Sequence, residues 1–529
     1  MVSTPHSVAS AAAIDALRRG GSAVDAAIAA NATLCVAYPH MAGLGGDGFW
    51  LLAGDGDGVR GINASGPAAA DASRSYYAER DSIPDRGVES ALTVPGAVDG
   101  WRLAHEAHGT LPWADLFDDA ISLATGGVVV SSDLARWIRA DRDVLAADPN
   151  ARRTFLHGGD APEAGRVLEQ PELASSFRAI ARDGARGGFY EGPLAAAITD
   201  PIRANGSPLQ PSDFGDYTAE WVDPISVEYR GYTAHSLPPN TQGIAALQIL
   251  GLLEGFDVAG WGDGTPAYHH GIVEATKLAF ADRDAWVADP EFVDVPTDRL
   301  LSAAYLDDRR SRINPQSTLS PSPDPGLSPG STSVASEPPE GDTCYFTVVD
   351  EDGLAVSAIQ SIYYDFGSAV VAGDTGIVPQ NRGSFFSLDP THVNSLEPGK
   401  RPFHTLIPSM LTKNGEPKLT YGTMGGEGQP QTQAAVLSRI VDFGYDPQRA
   451  IEAPRWLFGR TWGETSRSLT VESRVPDGVV EELRARGHRV SIAREYDDVM
   501  GHAQAIKITD EGVLEGGADP RGDGAAIGY

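Results

Sequence analysis

Gly341-Asp342-Thr343-Cys344-Tyr345-Phe346-Thr347-Val348-Val349-Asp350 is the stretch on which the reading of this chain turns. Just upstream, residues 312–342 cluster Pro, Ser and Gly with few large apolar side chains, the composition of a linker or mobile tail. The tract stops abruptly and a β-type run begins on a threonine. This layout suits a chain that is cut between Asp342 and Thr343, so that Thr343 becomes a new amino terminus. A terminal threonine carries both halves of a catalytic pair. Its hydroxyl attacks an acyl carbon, and its freed α-amine takes the proton. Taken alone, the ten residues also fit a plainer reading, a linker entering an ordinary strand.

Working outward, Thr343–Val349 and Leu354–Tyr364 flank Asp350-Glu351-Asp352-Gly353, a hairpin signal. Folding about that turn sets residues 360–362 opposite Thr343 and makes Ser361 a candidate neighbour of its hydroxyl. A one-residue slip turns Ser361 to the other face. Lys418–Thr423 reads as another strand, ending in Met424-Gly425-Gly426 before a helix over 429–440. Gly425 and Gly426 can aim two backbone N–H groups at one point, as an oxyanion hole requires. A plain strand-to-helix turn fits the local sequence equally well.

Toward the amino terminus, residues 6–19 have helical composition and stop at Gly20-Gly21. Ser22 with Asp25 predicts a capping box for an Ala-rich, buried helix reaching about Ala37. A glycine-rich loop, Pro39 to Gly48, precedes the strand Phe49–Leu52; dinucleotide-type phosphate cradles lie instead between a strand and a helix. Helical patterns dominate 97–200, 241–256 and 266–288, and Val227–Ser236 reads as one strand leaving through Pro238–Gly243.

The 529 residues suffice for a large buried core. With 41 basic against 72 acidic residues the net charge is −31, and only five of the basic residues are lysines. Such a balance disfavours nucleic acid and anionic membrane surfaces as partners and fits a surface kept soluble in concentrated salt, a halophilic setting. Two cysteines, Cys35 and Cys344, give neither a disulfide framework nor a Cys-rich metal site. His269-His270 is the one adjacent histidine pair, and helical neighbours diverge by about 100°, a poor metal clamp. Asp282-Arg283-Asp284 reads as a surface or helix-packing salt-bridge cluster. No apolar run approaches the ~20 residues needed to span a bilayer. Arg18-Arg19 is followed by Asp25 rather than an apolar export core, so the chain is expected to be cytoplasmic.

The landmarks now fall in one order: Gly-Gly-Ser-Ala-Val-Asp-Ala-Ala, Pro39-His40, Gly43-Leu44-Gly45-Gly46-Asp47-Gly48, Val94-Pro95-Gly96, Asp342-Thr343, Phe366-Gly367-Ser368, Pro398-Gly399-Lys400-Arg401-Pro402, Gly425-Gly426 and Asp519-Pro520-Arg521. With them the sequence resembles the γ-glutamyltranspeptidase family of N-terminal nucleophile hydrolases over nearly its whole length. The resemblance implies an α+β fold, a four-layer αββα sandwich, formed jointly by a large subunit 1–342 and a small subunit 343–529 after self-cleavage. It assigns Thr343 as nucleophile, Ser361 as its hydroxyl partner, and Gly425 and Gly426 as oxyanion donors.

Departures fall on the substrate clamp. Asn63 stands where family members that handle glutathione use an arginine for the glutamate α-carboxylate, and Arg60 lies off register. The acidic residue for the α-amino group maps near Ser384-Phe385, beside Asn381 and Arg382, and paired serines correspond to His404-Thr405 after Arg401. Asn63, Asn381, Arg382, Arg401, His404 and Thr405 are therefore the candidate substrate-binding residues, with Arg382 a possible carboxylate contact. The expected function is hydrolysis, or transfer, of the γ-glutamyl group of glutathione or related small-molecule amides. An acylase for glutaryl or other dicarboxylic acyl amides and a non-catalytic binding protein are the alternatives. No metal or organic cofactor is expected.

Overall fold

The computed structural model describes residues 1–54, 56–328, 342–459 and 466–529. The strand Asp342–Val349 is third in a seven-stranded antiparallel sheet, between Val2–Thr4 and Ala355–Tyr363. Asp47–Ala53, Arg60–Ala64 and Glu220–Val222 continue the sheet on one side, and Ala525–Ile527 closes the other edge. A second antiparallel sheet of six strands runs Leu514–Ala518, Ala503–Ile508, Glu416–Thr423, Ser409–Lys413, Tyr232–Ser236 and Ile225–Tyr229.

Alternation along the strands builds the layers. Phe49, Leu51, Tyr345, Ile359, Met410 and Ile506 fill the space between the sheets. Their neighbours Trp50, Phe346, Val348, Val356 and Ala358 turn the other way, into the core shared with the helix Ala23–Ala37. The helices Gly243–Glu254, Pro266–Trp286 and Gln429–Val441 cover the far face of the second sheet. The result is the expected αββα sandwich.

Local signals held where the physics is local. The Ser22–Asp25 capping box forms, with Ser22 N–H donating to Asp25 Oδ2 at 2.9 Å and Asp25 N–H to Ser22 Oγ at 3.2 Å. The 342–363 hairpin forms as well. Val227–Ser236, in contrast, is not one strand. It is a hairpin whose turn residues Arg230 and Gly231 both have positive φ, +53° and +77°. Such turns usually carry Asn or Asp before the glycine. Here Arg230 holds the strained position by donating to the carbonyls of Leu253 and Phe256 and to Asp442.

Residues 312–328, expected as the start of a mobile tail, are tied down. His270 Nε2 donates to the Asn314 carbonyl at 2.8 Å, the Leu319 and Gly326 N–H groups donate to Glu274 and Asp282, and Trp286 Nε1 donates to the Leu327 carbonyl. The rest of that tract, 329–341, lies outside the described residues. The helix Ser7–Arg18 is folded protein packed on the first sheet's core, and no described helix is long and apolar enough to cross a membrane.

Candidate active site

Strand parity decides which side chains can meet. Thr343 shares its face with Tyr345, Ser361 with Ile359, Asp47 with Phe49, and Asn63 is paired with Phe49. All four therefore point between the sheets, at one end of the first sheet. Arg60 is an odd number of residues from Asn63 and faces the other way, its guanidinium 3.8 Å from the Trp221 ring centroid. Opposite Thr343 the ladder carries a β-bulge: Gln360 pairs with Cys344 and Tyr363 with Asp342, one extra residue on the longer side. Tyr363 takes φ +81°, a conformation costly for a bulky residue.

Thr343 is buried, and its Oγ1 has no hydrogen-bond partner among the described residues. Beside it, Ser361 Oγ accepts from Tyr363 N–H at 2.7 Å and from Arg382 Nη2 at 3.0 Å. Arg382 Nη1 donates to Thr405 Oγ1 at 3.2 Å, and the guanidinium lies 4.2 Å from the Tyr363 ring centroid. Burial pulls the Arg382 pKa down to about 10, so the group is still charged at neutral pH.

Asp47 is the carboxylate whose charge acts on it. Asp47 Oδ1 accepts from Gly66 and Gly96 N–H, both at 3.0 Å, and Oδ2 lies 3.2 Å from His404 Nε2. His404 Nδ1 accepts from Leu406 N–H at 3.4 Å, so Nε2 carries the ring proton and donates to Asp47. Burial, with the nearby Arg382 charge, keeps the His404 pKa well below its usual value. Burial also pushes the Asp47 carboxyl up to about 7, against the opposing pull of Arg382 and the two amides.

The strand Glu416–Thr423 delivers the glycine turn from the second sheet. Gly425 and Gly426 have φ of +130° and +48°, conformations that favour glycine. Among the described residues neither donates its backbone N–H to a protein acceptor. The Gly425 carbonyl instead accepts from Gly428 N–H at 2.8 Å, opening the turn into the helix Gln429–Val441.

The remaining candidates divide. His404 and Thr405 join the cluster directly. Asn63 is inside, but its amide is engaged: Nδ2 donates to Asn240 Oδ1 at 3.0 Å and Oδ1 accepts from Ser65 Oγ at 2.7 Å. Asn381 bridges backbone, accepting from Tyr364 N–H and donating to the Asp85 carbonyl. Arg401 turns toward the sheet rim, 2.7 Å from Glu220 Oε1. Asp47, Gln242 and Arg283 were not among the sequence candidates. For Asp47 a signal existed, an acid two residues before Phe49 on the inward face. Arg283 is buried rather than superficial and reaches Gln242 and Glu427.

His269 is buried edge-on to Trp456, and burial lowers its pKa to about 3. His270 instead joins Glu274 and His488 in a group whose ligand-type atoms lie within 4.8 Å of one another. Lys277 Nζ, 2.7 Å from Glu274 Oε1, supplies the positive charge there, and His270 Nδ1 pairs with His488 Nε2 at 2.8 Å. These contacts satisfy the cluster from within the chain.

Comparison with known proteins finds relatives over the whole chain. Residues 9–529 match the family model described as gamma-glutamyltranspeptidase. The chain is 46% identical to the glutathione hydrolase-like YwrD proenzyme of Bacillus subtilis, covering 100% of this chain and 98% of that one. It is 43% identical to the oxamate amidohydrolase proenzyme of Klebsiella pneumoniae, with the same coverage of both. Among solved structures, cephalosporin acylase from Bacillus halodurans superposes with a TM-score of 0.91 at 36% identity, over 100% of this chain and 96% of that one.

Proposed function

The chain belongs to the gamma-glutamyltranspeptidase family of N-terminal nucleophile enzymes, and from that premise we propose that it is a self-cleaving amidohydrolase for small amides whose acyl group ends in a carboxylate. The observation that carries the reading is a buried Thr343 hydroxyl beside Ser361, with the charged Arg382 one hydroxyl away. In maturation, Thr343 Oγ1 attacks the Asp342 carbonyl and an N-to-O acyl shift leaves an ester. That shift frees the Thr343 α-amine, and water then hydrolyses the ester, releasing the Asp342 carboxylate and the Thr343 hydroxyl. In turnover the same oxygen attacks the substrate acyl carbon while the α-amine takes its proton. The N–H groups of Gly425 and Gly426 hold the oxyanion. The amine product leaves with the proton, and water releases the acid.

The acyl group on this reading is γ-glutamyl, as in glutathione. A plain dicarboxylic chain, of the glutaryl or oxamate kind, is a second reading. It is favoured by Phe385, which packs at a tilt on Tyr363, ring centroids 4.5 Å apart, near where an acid would hold an α-amino group. The likeness to the Klebsiella oxamate amidohydrolase points the same way.

Denaturing electrophoresis with turnover assays tests the proposal. The wild type is expected as two fragments, and Thr343→Ala as one inert band at 55.7 kDa. An uncut wild type that hydrolyses amides at full rate overturns the mechanism. Rates on γ-glutamyl anilide, glutaryl anilide and oxamate separate the two acyl readings.

A further inference from the structure

Gln242, immediately before the helix Gly243–Glu254, lies fully buried between two arms of the site. Its Nε2 donates to the Thr405 carbonyl at 2.8 Å and to the Gly426 carbonyl at 3.0 Å. Its Oε1 accepts from Arg283 Nη1 at 3.0 Å. Arg283 spends Nη2 on Glu427 Oε2 at 2.9 Å, the residue that follows Gly426. Because arginine only donates, the Gln242 amide has one allowed orientation, oxygen toward Arg283 and NH2 toward the two carbonyls. Thr405 belongs to the arm that receives Arg382 Nη1, and Gly426 to the glycine turn.

We propose that Gln242, oriented by Arg283, is a positioning residue that fixes the oxyanion turn relative to the Arg382 arm. The inference rests on the reading of Thr343, Arg382 and Gly425–Gly426 given above. A glycine pair is the most pliable backbone available. Here the Gly425 carbonyl is held by Gly428 N–H, and the Gly426 carbonyl by Gln429 N–H together with Gln242 Nε2, the side chain that ties the turn to the Thr405 arm. With both carbonyls pinned, the intervening peptide has one orientation, and the Gly426 N–H one direction. Loss of the Gln242 bridge leaves the turn's own backbone bonds but lets the turn drift relative to the Thr405 arm, and a displacement of about 1 Å costs on the order of 100-fold in rate.

The test uses the full chain and whichever of γ-glutamyl or glutaryl anilide the wild type cleaves. Gln242→Glu, ionised, offers only acceptors to two carbonyls, and Gln242→Met removes the donors without adding charge. Both are expected to stay folded at the assay temperature, slow self-cleavage, and lower kcat by about 10- to 100-fold with KM within about threefold. Arg283→Lys retains the charge facing Glu427 but not the fork, and an intermediate kcat is expected. A folded Gln242→Met with wild-type kcat overturns the proposal. So does a loss of activity that disappears when the variant is assayed well below its own melting temperature. If the Gln242 variants do not fold, Arg283→Lys decides: wild-type kcat overturns the inference and a selective kcat loss supports it. Thr343→Ala runs in parallel. Turnover by that variant defeats the underlying reading, whereas an inert Thr343→Ala beside a fully active Gln242→Met defeats the positioning role alone.

Discussion

Arg382 carries its charge in a fully buried position, with two neutral hydroxyls and one reluctant carboxylate for company. On the proposed reading, an incoming substrate carboxylate completes that environment. Removing one charged hydrogen-bonded contact costs roughly 1.5–3 kcal/mol. Arg382→Met is therefore expected to lower kcat/KM for a glutaryl or γ-glutamyl anilide by about 10- to 100-fold. A neutral butyryl anilide should lose far less, and equal losses on both would assign Arg382 a purely structural role.

Asp47 makes the same contact pH-dependent. Its carboxyl titrates near 7 because burial disfavours its charge. Above that pH the ionised group competes with a ligand carboxylate for Arg382; below it the competitor is neutral. His404, its close neighbour, stays uncharged throughout this range. Glutarate is expected to bind several-fold more weakly at pH 8 than at pH 6, as measured by calorimetry. The Thr343 α-amine shifts binding with the same sign but is retained in Asp47→Asn, so a flatter profile in that variant isolates the carboxyl.

Individual elements convert these residues into a site. The hairpin at 342–363 supplies Thr343 and Ser361 on one face, and the bulge between Gln360 and Tyr363 re-aims the second strand at the point of contact. Behind the glycine turn stands a buried ion cluster. Asp519 Oδ2 accepts from Arg455 Nη2 at 2.5 Å, and Asp519 Oδ1 from Arg521 Nη1 at 3.0 Å. Arg455 Nη1 also donates to the Gly501 carbonyl at 2.7 Å, and Met424 N–H to the next carbonyl, that of His502. Burial alone would raise the Asp519 pKa, yet the two arginines overcome it and hold it near 2. Its stabilising share is thus complete above the unfolded value of about 4 and lost as pH falls toward 2. Asp519→Asn is expected to lower stability by about 3–5 kcal/mol at neutral pH, since buried Arg455 loses its carboxylate partner while Arg521 keeps Glu472. Chemical denaturation checks this, and a difference from wild type that persists unchanged at pH 2 would contradict the assignment.

At the scale of the whole molecule, the two proposed fragments cannot part easily. Strand Asp342–Val349 lies between Val2–Thr4 on one side and, through Ala355–Tyr363, Asp47–Ala53 on the other. After cutting, both fragments are expected to elute together from a native sizing column and to separate only in denaturant. The net charge of −31 acts over the entire surface. Its self-repulsion is screened by salt. The melting temperature is therefore expected to rise by several degrees between dilute buffer and molar KCl, and a flat response would remove the halophilic expectation.

What the sequence by itself determined was local or periodic: the hairpin about Asp350–Gly353, the Ser22–Asp25 cap, the glycine pair ending a strand, and the threonine that begins one. Each depends on contacts within a few residues or on a two-residue alternation, and a linear reading contains both. The tertiary structure alone decided which polar groups face one another. Asp47 and His404 are 357 positions apart, Gln242 and Gly426 184. It also showed that Arg60 faces away, that Asn381 is bound to backbone, and that Arg230 holds a turn where an asparagine is usual. Nothing along the chain encodes such pairings, because burial and facing are set only when two sheets close over the same space.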